Sequence, residues 1–454
     1  MEIMKKITDF LNVSPTAEQT NALVKVAEFI EESSDLDFMI IQGSAGTGKS
    51  TIVKTITEYL CSREIKFSLS APTGKAAKVI QRKTGHVAKT LHSLIYKPEK
   101  AKHGCGIKLI RKQNLIENYT VFIIDESSMI SDVVGASEKF LVTKPLLTDL
   151  IDFVKQGNPK NKVLFIGDKF QLTPINCQDS PALSVNYLTK EKNLKGFVVE
   201  LTEVKRQEND SYILQNATNL RVAIQKGEKS PVLNLQVLKN STSALYKYLD
   251  LYDKDSFSNV IVLAWRNNDV NFFNSALRQM MNLGNEVLCK NDQVSLHTNW
   301  MHNQRLVMKG ENAIVIDTDS GLENYAGLHF KNVKIQYQDS NGELVLAQTK
   351  VLVESLNSID GNLSIEQENA LAHESNKRNL VYRESQNIVD DPYLGALRLR
   401  YGYAITCHKA QGGEWENVIL HPWMPKDDLR WQYTAITRAS KHIFTYQCKY
   451  QKAA

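Results

Sequence analysis

The stretch Gly43-Ser44-Ala45-Gly46-Thr47-Gly48-Lys49-Ser50 decides the fold expected for the amino-terminal part of the chain. Its pattern, G-x-x-x-x-G-K-S, is typical of a phosphate-binding loop. The apolar run 38–41 before it predicts a buried strand, and residues 51–56 after it continue as a helix. A loop between strand and helix directs free backbone N–H groups at an anion, and the helix dipole adds positive potential. These flanks make a chance match the weaker interpretation, so we predict that the chain binds a nucleoside triphosphate.

Each residue type in this loop has a chemical reason to be there. Glycines let the backbone approach the phosphates without a Cβ in the way. Lys49 is expected to reach the β- and γ-phosphates, and the Ser50 hydroxyl is expected to bind Mg²⁺. The predicted cofactors are therefore ATP and Mg²⁺. The predicted nucleotide contacts of the loop and the helix start are Gly46, Thr47, Gly48, Lys49, Ser50 and Thr51.

Length and composition indicate a globular protein of several domains. A chain of 454 residues is too long for one hydrophobic core. The net charge of +5, from 55 basic and 50 acidic residues, is compatible with nucleic acid but is weak evidence for it. None of the six cysteines has C-x-x-C spacing, which argues against a zinc site and suits a reducing compartment. Without a membrane-length apolar run or a signal peptide, we expect a cytoplasmic protein with no membrane partner.

Apolar strand signals recur along the chain and alternate with helical stretches, which predicts an α/β fold with parallel sheets. The first series indicates one α/β domain up to about residue 190, and the second series indicates another in two pieces. The first series is 67–71, 121–124, 163–166 and 199–201, and the second is 260–264, 401–406, 418–421 and 443–446.

Two segments interrupt these domains. Residues 93–118 are rich in lysine and arginine, which fits either a basic hairpin touching a polyanion or a solvated loop. Between 290 and 395, alternating strands flank the turn at Asn341-Gly342, so we predict a hairpin within a small β-subdomain. Residues 365–388 of this segment are polar and have helical character.

Acidic and amide side chains follow two of the predicted strands. Asp125 and Glu126 end the apolar run 121–124, and strand ends in such a sheet face the ligand crevice. Asp125 is expected to hold Mg²⁺ through water, and Glu126 to orient and deprotonate the attacking water. Gln171, shortly after the next strand, is placed to sense the γ-phosphate, with a plain loop as the alternative.

Two arginines and one glutamine complete the candidate nucleotide site. Arg206 and Arg438 are candidates to stabilise the phosphoryl transition state, because arginine offers a fixed fork to its equatorial oxygens. Ordinary surface arginines are the alternative. Gln19 either caps its helix in a box with Thr16 or reads the edge of adenine.

The chain contains a series of short motifs at 43–50, 71–77, 90–92, 125–126, 167–172, 403–412 and 433–438. Their order and spacing resemble superfamily 1 DNA helicases, most closely the RecD-like and bacteriophage Dda-type group, superfamily 1B. The resemblance runs from about residue 14 to 447, and the string around His408 and Gln411 is its most specific part. No Pif-type signature follows the acidic pair, which makes that subgroup the weaker match.

The resemblance implies two RecA-like domains and assigns roles to single residues. It favours Gln19 as the adenine-reading residue, places Glu414 at the ribose and Gln171 in coupling, and makes Arg206 and Arg438 arginine fingers. The implied contacts with single-stranded DNA are Thr73, Lys75, Thr90, His92, Thr406, His408 and Lys409. The implied domains are 1A at 1–92 and 119–195, a 1B pin-like insertion at 93–118, 2A at 196–289 and 396–454, and an SH3-like 2B insertion at 290–395.

The expected activity is ATP-driven 5′-to-3′ translocation with duplex unwinding, by a monomer acting on single-stranded and forked DNA. Opposite polarity, an RNA substrate, a loader or switch without unwinding, and a P-loop enzyme of small-molecule metabolism are the alternatives. The DNA-contact motifs argue against the last. Trp265 and Trp415 are candidates to stack on bases, with core positions as the alternative. Tyr96 and His103 are weak candidates for a strand-separating residue.

Overall fold

The computed structural model describes residues 6–100, 107–134, 140–141, 144–174, 177–204, 212–254, 256–284, 286–303, 305–339, 342–359 and 361–448. These residues fall into two compact units. The first comprises the described parts of 1–97, 109–137 and 141–229, and the second those of 98–108, 138–140 and 230–454. None of the described helices combines the length and apolar character needed to cross a membrane.

The amino-terminal elements build a parallel sheet with helical crossovers. The strands are β1 Phe38–Gly43, β2 Lys66–Ala71, β3 Ala88–Thr90, β4 Tyr96–Lys100, β5 Ile107–Arg111, β6 Thr120–Ile124, β7 Phe140–Leu141, β8 Lys162–Gly167 and β9 Gly196–Leu201. The helices are α1 Ala17–Phe29, α2 Lys49–Ser62, α3 Gly74–Thr84, α4 Leu91–Ile95, α5 Leu146–Gly157, α6 Val185–Lys190 and α7 Tyr212–Lys226. The main sheet has the order β3-β2-β6-β8-β1-β9, and β4, β5 and β7 form a small separate sheet.

The strand Gly196–Leu201 corrects the domain boundary expected at residue 196. It pairs in parallel with Phe38–Gly43 at the edge of the first sheet, where Gly43 lies opposite Leu201. Val199 and Leu201 are buried in the core of the first unit. The apolar pattern identified the strand, but its partner is set by long-range pairing, and the first unit therefore continues to Lys229.

The second unit combines a parallel and an antiparallel sheet. Its strands are β10 Gln236–Leu238, β11 Val260–Ala264, β12 Gln293–Leu296, β13 Trp300–His302, β14 Arg305–Val307, β15 Asn312–Thr318, β16 Glu323–Tyr325, β17 Leu328–Gln338, β18 Leu344–Leu352, β19 Leu399–Tyr401, β20 Ala404–Thr406, β21 Trp415–Leu420 and β22 Ala439–Tyr446. Its helices are α8 Ser241–Leu251, α9 Asn267–Met280, α10 Ile365–Arg378, α11 Leu380–Ser385, α12 Cys407–Ala410 and α13 Leu429–Ile436. The parallel sheet has the order β10-β22-β21-β11-β20, and the antiparallel sheet the order β16-β17-β15-β12-β19, with β18 on β17.

The predicted hairpin and helices of the β-rich segment are confirmed: β17 pairs with β18, and α10 and α11 lie within the polar stretch. The run 401–406, expected as one strand, is divided between two sheets. β19 pairs with β12, whereas β20 pairs with β11, and the backbone N–H of Gly402 between them donates to the carbonyl of Gln293 (2.9 Å). One hydrophobic core, which includes Val262, Val294 and Ile335, joins the two sheets of this unit.

Candidate nucleotide-binding site and nucleic-acid contacts

The phosphate loop leaves β1 and enters α2 in the conformation that its sequence predicts. Gly46 and Gly48 have φ angles of +81° and +85°, the left-handed region that favours glycine. A Cβ on Gly48 would lie 2.4 Å from Nε2 of Gln19, so a side chain there would also displace the Gln19 amide. Lys49 Nζ donates to the carbonyls of Gly43 (2.5 Å) and Ser44 (3.1 Å). The lysine ammonium thus lies over the loop where a triphosphate would bind.

Gln19 connects its helix to the phosphate loop. Its backbone N–H donates to Thr16 Oγ1, and its Oε1 accepts from the Thr16 N–H (3.1 Å), so the predicted capping box is present. Its Nε2 donates to the Thr47 carbonyl (2.9 Å). Gln19 therefore caps α1 and braces the loop in this structure, and its adenine-reading role stays a prediction.

The acidic pair directly follows β6, and both residues are half-buried. Burial and then the neighbouring Glu126 carboxylate raise the pKa of Asp125 to about 6. Glu126 has a φ of +51°, unusual for a residue with a side chain, and its Oε2 is buried with no hydrogen-bond partner among the described residues. Two adjacent carboxylates in this state fit a divalent cation, which would offset the cost of burying their charge. Asp125 and Ser50 are the residues that would hold Mg²⁺ there.

Gln171 lies at the same edge of the sheet as the loop and the acids. β6, β8 and β1 are neighbours, so their carboxyl ends meet. Gln171 is 4% exposed, and within the described part of the chain its buried Oε1 has no hydrogen-bond partner. The backbone N–H of Phe170 donates to Asp168 Oδ1 (3.0 Å), which fixes the turn after β8. A buried, unpartnered amide oxygen argues against the plain-loop alternative.

Arg221 is a residue near the loop that sequence reasoning missed. From α7, its Nη1 donates to the Ser44 hydroxyl (2.9 Å). The Glu18 carboxylate accepts from the backbone N–H groups of Thr202 (2.5 Å) and Glu203 (2.8 Å). The helix α7 and the segment after β9 are thus both tied to the nucleotide half-site. A lone arginine on an amphipathic helix carried no signal for this contact.

The structure describes only one of the two candidate arginine fingers. Arg206 lies outside the described residues. Arg438, in the second unit, is 5% exposed, which contradicts the surface-arginine alternative. Its Nε donates to the Thr434 carbonyl (3.0 Å) and its Nη1 to the Gly413 carbonyl (3.1 Å), beside Glu414. Its role as a finger and that of Glu414 at the ribose stay predictions.

Four predicted DNA contacts belong to the first unit. Thr73 caps α3 and Thr90 caps α4. Thr73 comes two residues after β2, and Thr90 is the last residue of the neighbouring strand β3, where it lies opposite Ala71. Lys75 lies in the first turn of α3. Burial lowers the pKa of His92 to about 4, so its imidazole is neutral at neutral pH. None of the residues that the structure describes forms a hydrogen bond with its Nδ1, which leaves that atom able to accept or donate one.

The other three lie at the end of β20 in the second unit. Thr406 ends that strand and precedes α12, which contains His408 and Lys409. His408 is exposed, and Lys409 Nζ lies 3.3 Å from Nε2 of His297. This short polar turn at a strand end fits contact with a phosphate backbone.

Two secondary candidates are wrong. Tyr96 is 3% exposed and its hydroxyl donates to Asp149 Oδ2 (2.7 Å), so it is a core residue rather than a separating wedge. Trp415 is 4% exposed and also belongs to the core. Trp265 is 41% exposed and remains a candidate. His103 lies outside the described residues.

Comparisons with known proteins agree with this geometry. A family model described as AAA domain matches residues 15–238, and one described as UvrD-like helicase C-terminal domain matches residues 401–445. The ATP-dependent RecD2 DNA helicase of Deinococcus radiodurans is 26% identical over 427 residues, which cover 91% of this chain and 48% of the relative. The ATP-dependent DNA helicase dda of Enterobacteria phage T4 is 29% identical over 208 residues, which cover 45% of this chain and 42% of the relative.

A solved structure of Pif1 helicases at forked double-stranded DNA has a TM-score of 0.51 at 16% identity and covers 96% of this chain and 92% of that one. At that identity the likeness establishes the fold alone. The chain spans about half the length of the RecD2 relative.

The phosphate loop, the half-buried acid pair and the two parallel sheets define a P-loop NTPase with two RecA-like units. The motifs of both units resemble those of the RecD-like and Dda-type helicases of superfamily 1B, and the similarity to the RecD2 and Dda relatives supports that resemblance.

Proposed function

We propose that this protein is a DNA helicase that couples Mg-ATP hydrolysis to 5′-to-3′ movement along single-stranded DNA and so unwinds duplex DNA. The observation that carries the proposal is the convergence of Lys49, Asp125, Glu126 and Gln171 at the carboxyl edge of one sheet. The names of the RecD2 and Dda relatives support the choice of DNA as substrate.

In this proposal each described residue has a defined task. Lys49 holds the β- and γ-phosphates, and the loop N–H groups bind their oxygens. When bound, Mg²⁺ offsets phosphate charge beside Ser50 and Asp125. Glu126 accepts a proton from the attacking water, and Gln171 responds to the γ-phosphate. Arg206 and Arg438 supply cations to the phosphoryl transition state.

Strand contacts explain how hydrolysis becomes movement. Each unit presents its own candidate set at strand ends: Thr73 and Thr90 in the first, Thr406 and Lys409 in the second. The two sets of contacts hold the DNA strand alternately as the nucleotide state changes, and the strand advances with each cycle. Contacts to the backbone suit an enzyme that acts on any sequence.

We expect single-stranded DNA to raise the rate of ATP hydrolysis severalfold, because the strand contacts and the nucleotide site belong to one cycle. The measurement is steady-state phosphate release by the full chain, with and without an oligothymidylate, and with a matched oligouridylate. Stimulation by the DNA supports the proposal. An unchanged rate with both oligonucleotides contradicts a nucleic-acid-dependent cycle, and stimulation by RNA alone contradicts the choice of substrate.

A further inference from the structure

The second unit exposes two large aromatic side chains beside each other. Trp265 is 41% exposed and Trp423 is 45% exposed, and their rings are nearly parallel, with an angle of 13° and 6.3 Å between centroids. The other three tryptophans of the chain, Trp300, Trp415 and Trp431, are at most 7% exposed. An exposed aromatic pair leaves apolar area in water, which usually marks a binding surface.

The backbone places this pair at the carboxyl edge of the parallel sheet. Trp265 directly follows β11, and Trp423 comes three residues after β21. These two strands are neighbours in the sheet. The backbone N–H of Trp423 donates to Nδ1 of His421 (3.1 Å), which helps to fix the loop that carries it.

The Arg266 side chain packs against the tryptophan pair. The Arg266 guanidinium lies 4.5 Å from the ring centroid of Trp423. Asp269 holds that guanidinium through two hydrogen bonds, from Nε (2.9 Å) and Nη2 (3.2 Å). Asp269 therefore fixes the Arg266 guanidinium against the Trp423 ring, where it adds a cation–π contact to the aromatic pair.

The pair also adjoins the candidate strand contacts of this unit. Ala264, the last residue of β11, lies opposite Thr406 in the parallel register of β20. Trp265 thus leaves the sheet beside the residue that precedes His408 and Lys409. The same sheet edge therefore carries polar side chains that can contact phosphates and aromatic rings that can stack on bases.

We propose that Trp265 and Trp423 form a base-stacking platform that receives unpaired bases of the single strand bound by the second unit. This proposal rests on the proposed function and specifies how that strand is held. Every base has a π-face, so stacking of this kind tolerates any sequence. The occupant is a nucleic-acid base rather than a protein side chain, because the pair shares its edge with Thr406 and carries the cation of Arg266.

Intrinsic tryptophan fluorescence tests the platform directly, because the other three tryptophans are buried. We expect an oligothymidylate to quench the emission of the full chain, and an abasic oligonucleotide of equal length to leave it unchanged. The double variant Trp265→Ala/Trp423→Ala should lose the quenching. By anisotropy of labelled strands, it should bind oligothymidylate about 5- to 30-fold more weakly than the wild type and bind the abasic strand equally well.

Two controls separate stacking from a folding defect. Trp265→Phe/Trp423→Phe keeps aromatic faces and should retain most of the affinity for oligothymidylate. Tyr246→Ala removes an aromatic side chain that is 63% exposed on α8 and should bind like the wild type. Thermal unfolding of every variant should match that of the wild type.

The outcomes distinguish this inference from the proposed function. Quenching without DNA-stimulated ATP hydrolysis would support the platform and contradict the helicase proposal. DNA-stimulated hydrolysis by a chain whose double alanine variant binds oligothymidylate as tightly as the wild type would overturn the platform alone.

Discussion

Lys49→Ala is expected to reduce ATP hydrolysis by about 100-fold or more while single-strand binding stays nearly intact. The ammonium of Lys49 lies over the phosphate loop, within hydrogen-bond distance of the carbonyls of Gly43 and Ser44. Its loss removes the charge that stabilises the β- and γ-phosphates during transfer, and a missing preorganised donor has an effect of this size. The measurement is steady-state phosphate release with saturating oligothymidylate, beside the dissociation constant for that strand.

Lys54→Ala is the matched control for this variant. Lys54 belongs to the same helix α2 and forms a partly exposed pair with Glu58 (3.8 Å), away from the loop. It should hydrolyse ATP like the wild type. Full hydrolysis by Lys49→Ala would show that the nucleotide site has been assigned to the wrong loop.

Glu126→Gln is expected to lower the hydrolysis rate by about 10² to 10⁴-fold and to leave ATP binding in place. The amide keeps the shape of the carboxyl group but cannot accept a proton from water. In the proposed function the proton goes to the Glu126 carboxylate, whose Oε2 is buried with no hydrogen-bond partner among the described residues. Rate measurements beside equilibrium binding of a fluorescent ATP analogue separate the two effects.

The control for Glu126→Gln changes a residue before the opposite end of the same strand, β6. Glu117→Gln makes the same chemical change at an exposed residue before β6 and should be without effect. Near-normal turnover by Glu126→Gln would assign the general base to another residue. Loss of ATP binding in that variant would instead point to a structural role for Glu126.

The sequence predicted the backbone of the phosphate loop and the strands around it, because the signals for both are local. A glycine pattern between an apolar strand and a helix leaves little freedom, and the loop around Gly46 and Gly48 has the expected backbone. The acid pair and Gln171 were placed by the rule that parallel strands end at one edge. The same local reasoning found the capping box of Thr16 and Gln19.

Features set by packing were not predictable in the same way. The contact of Arg221 with Ser44 depends on where α7 packs, and no motif spacing encodes that position. The edge strand Gly196–Leu201 has the apolar pattern of either domain, so only its pairing with Phe38–Gly43 assigns it. Trp415 begins β21 and Trp423 follows the end of that strand, yet only Trp415 is buried in the core.

In the proposed function, ATP hydrolysis drives this protein along a DNA strand in one direction, and the protein thereby separates a duplex. Strand displacement from two labelled duplexes, identical except for a 5′ or a 3′ single-stranded tail, tests it most directly. With ATP and Mg²⁺ we expect release of the labelled strand from the 5′-tailed duplex, no release from the 3′-tailed duplex, and none from either without hydrolysis. Equal release from the two substrates, or release from neither, would contradict the account.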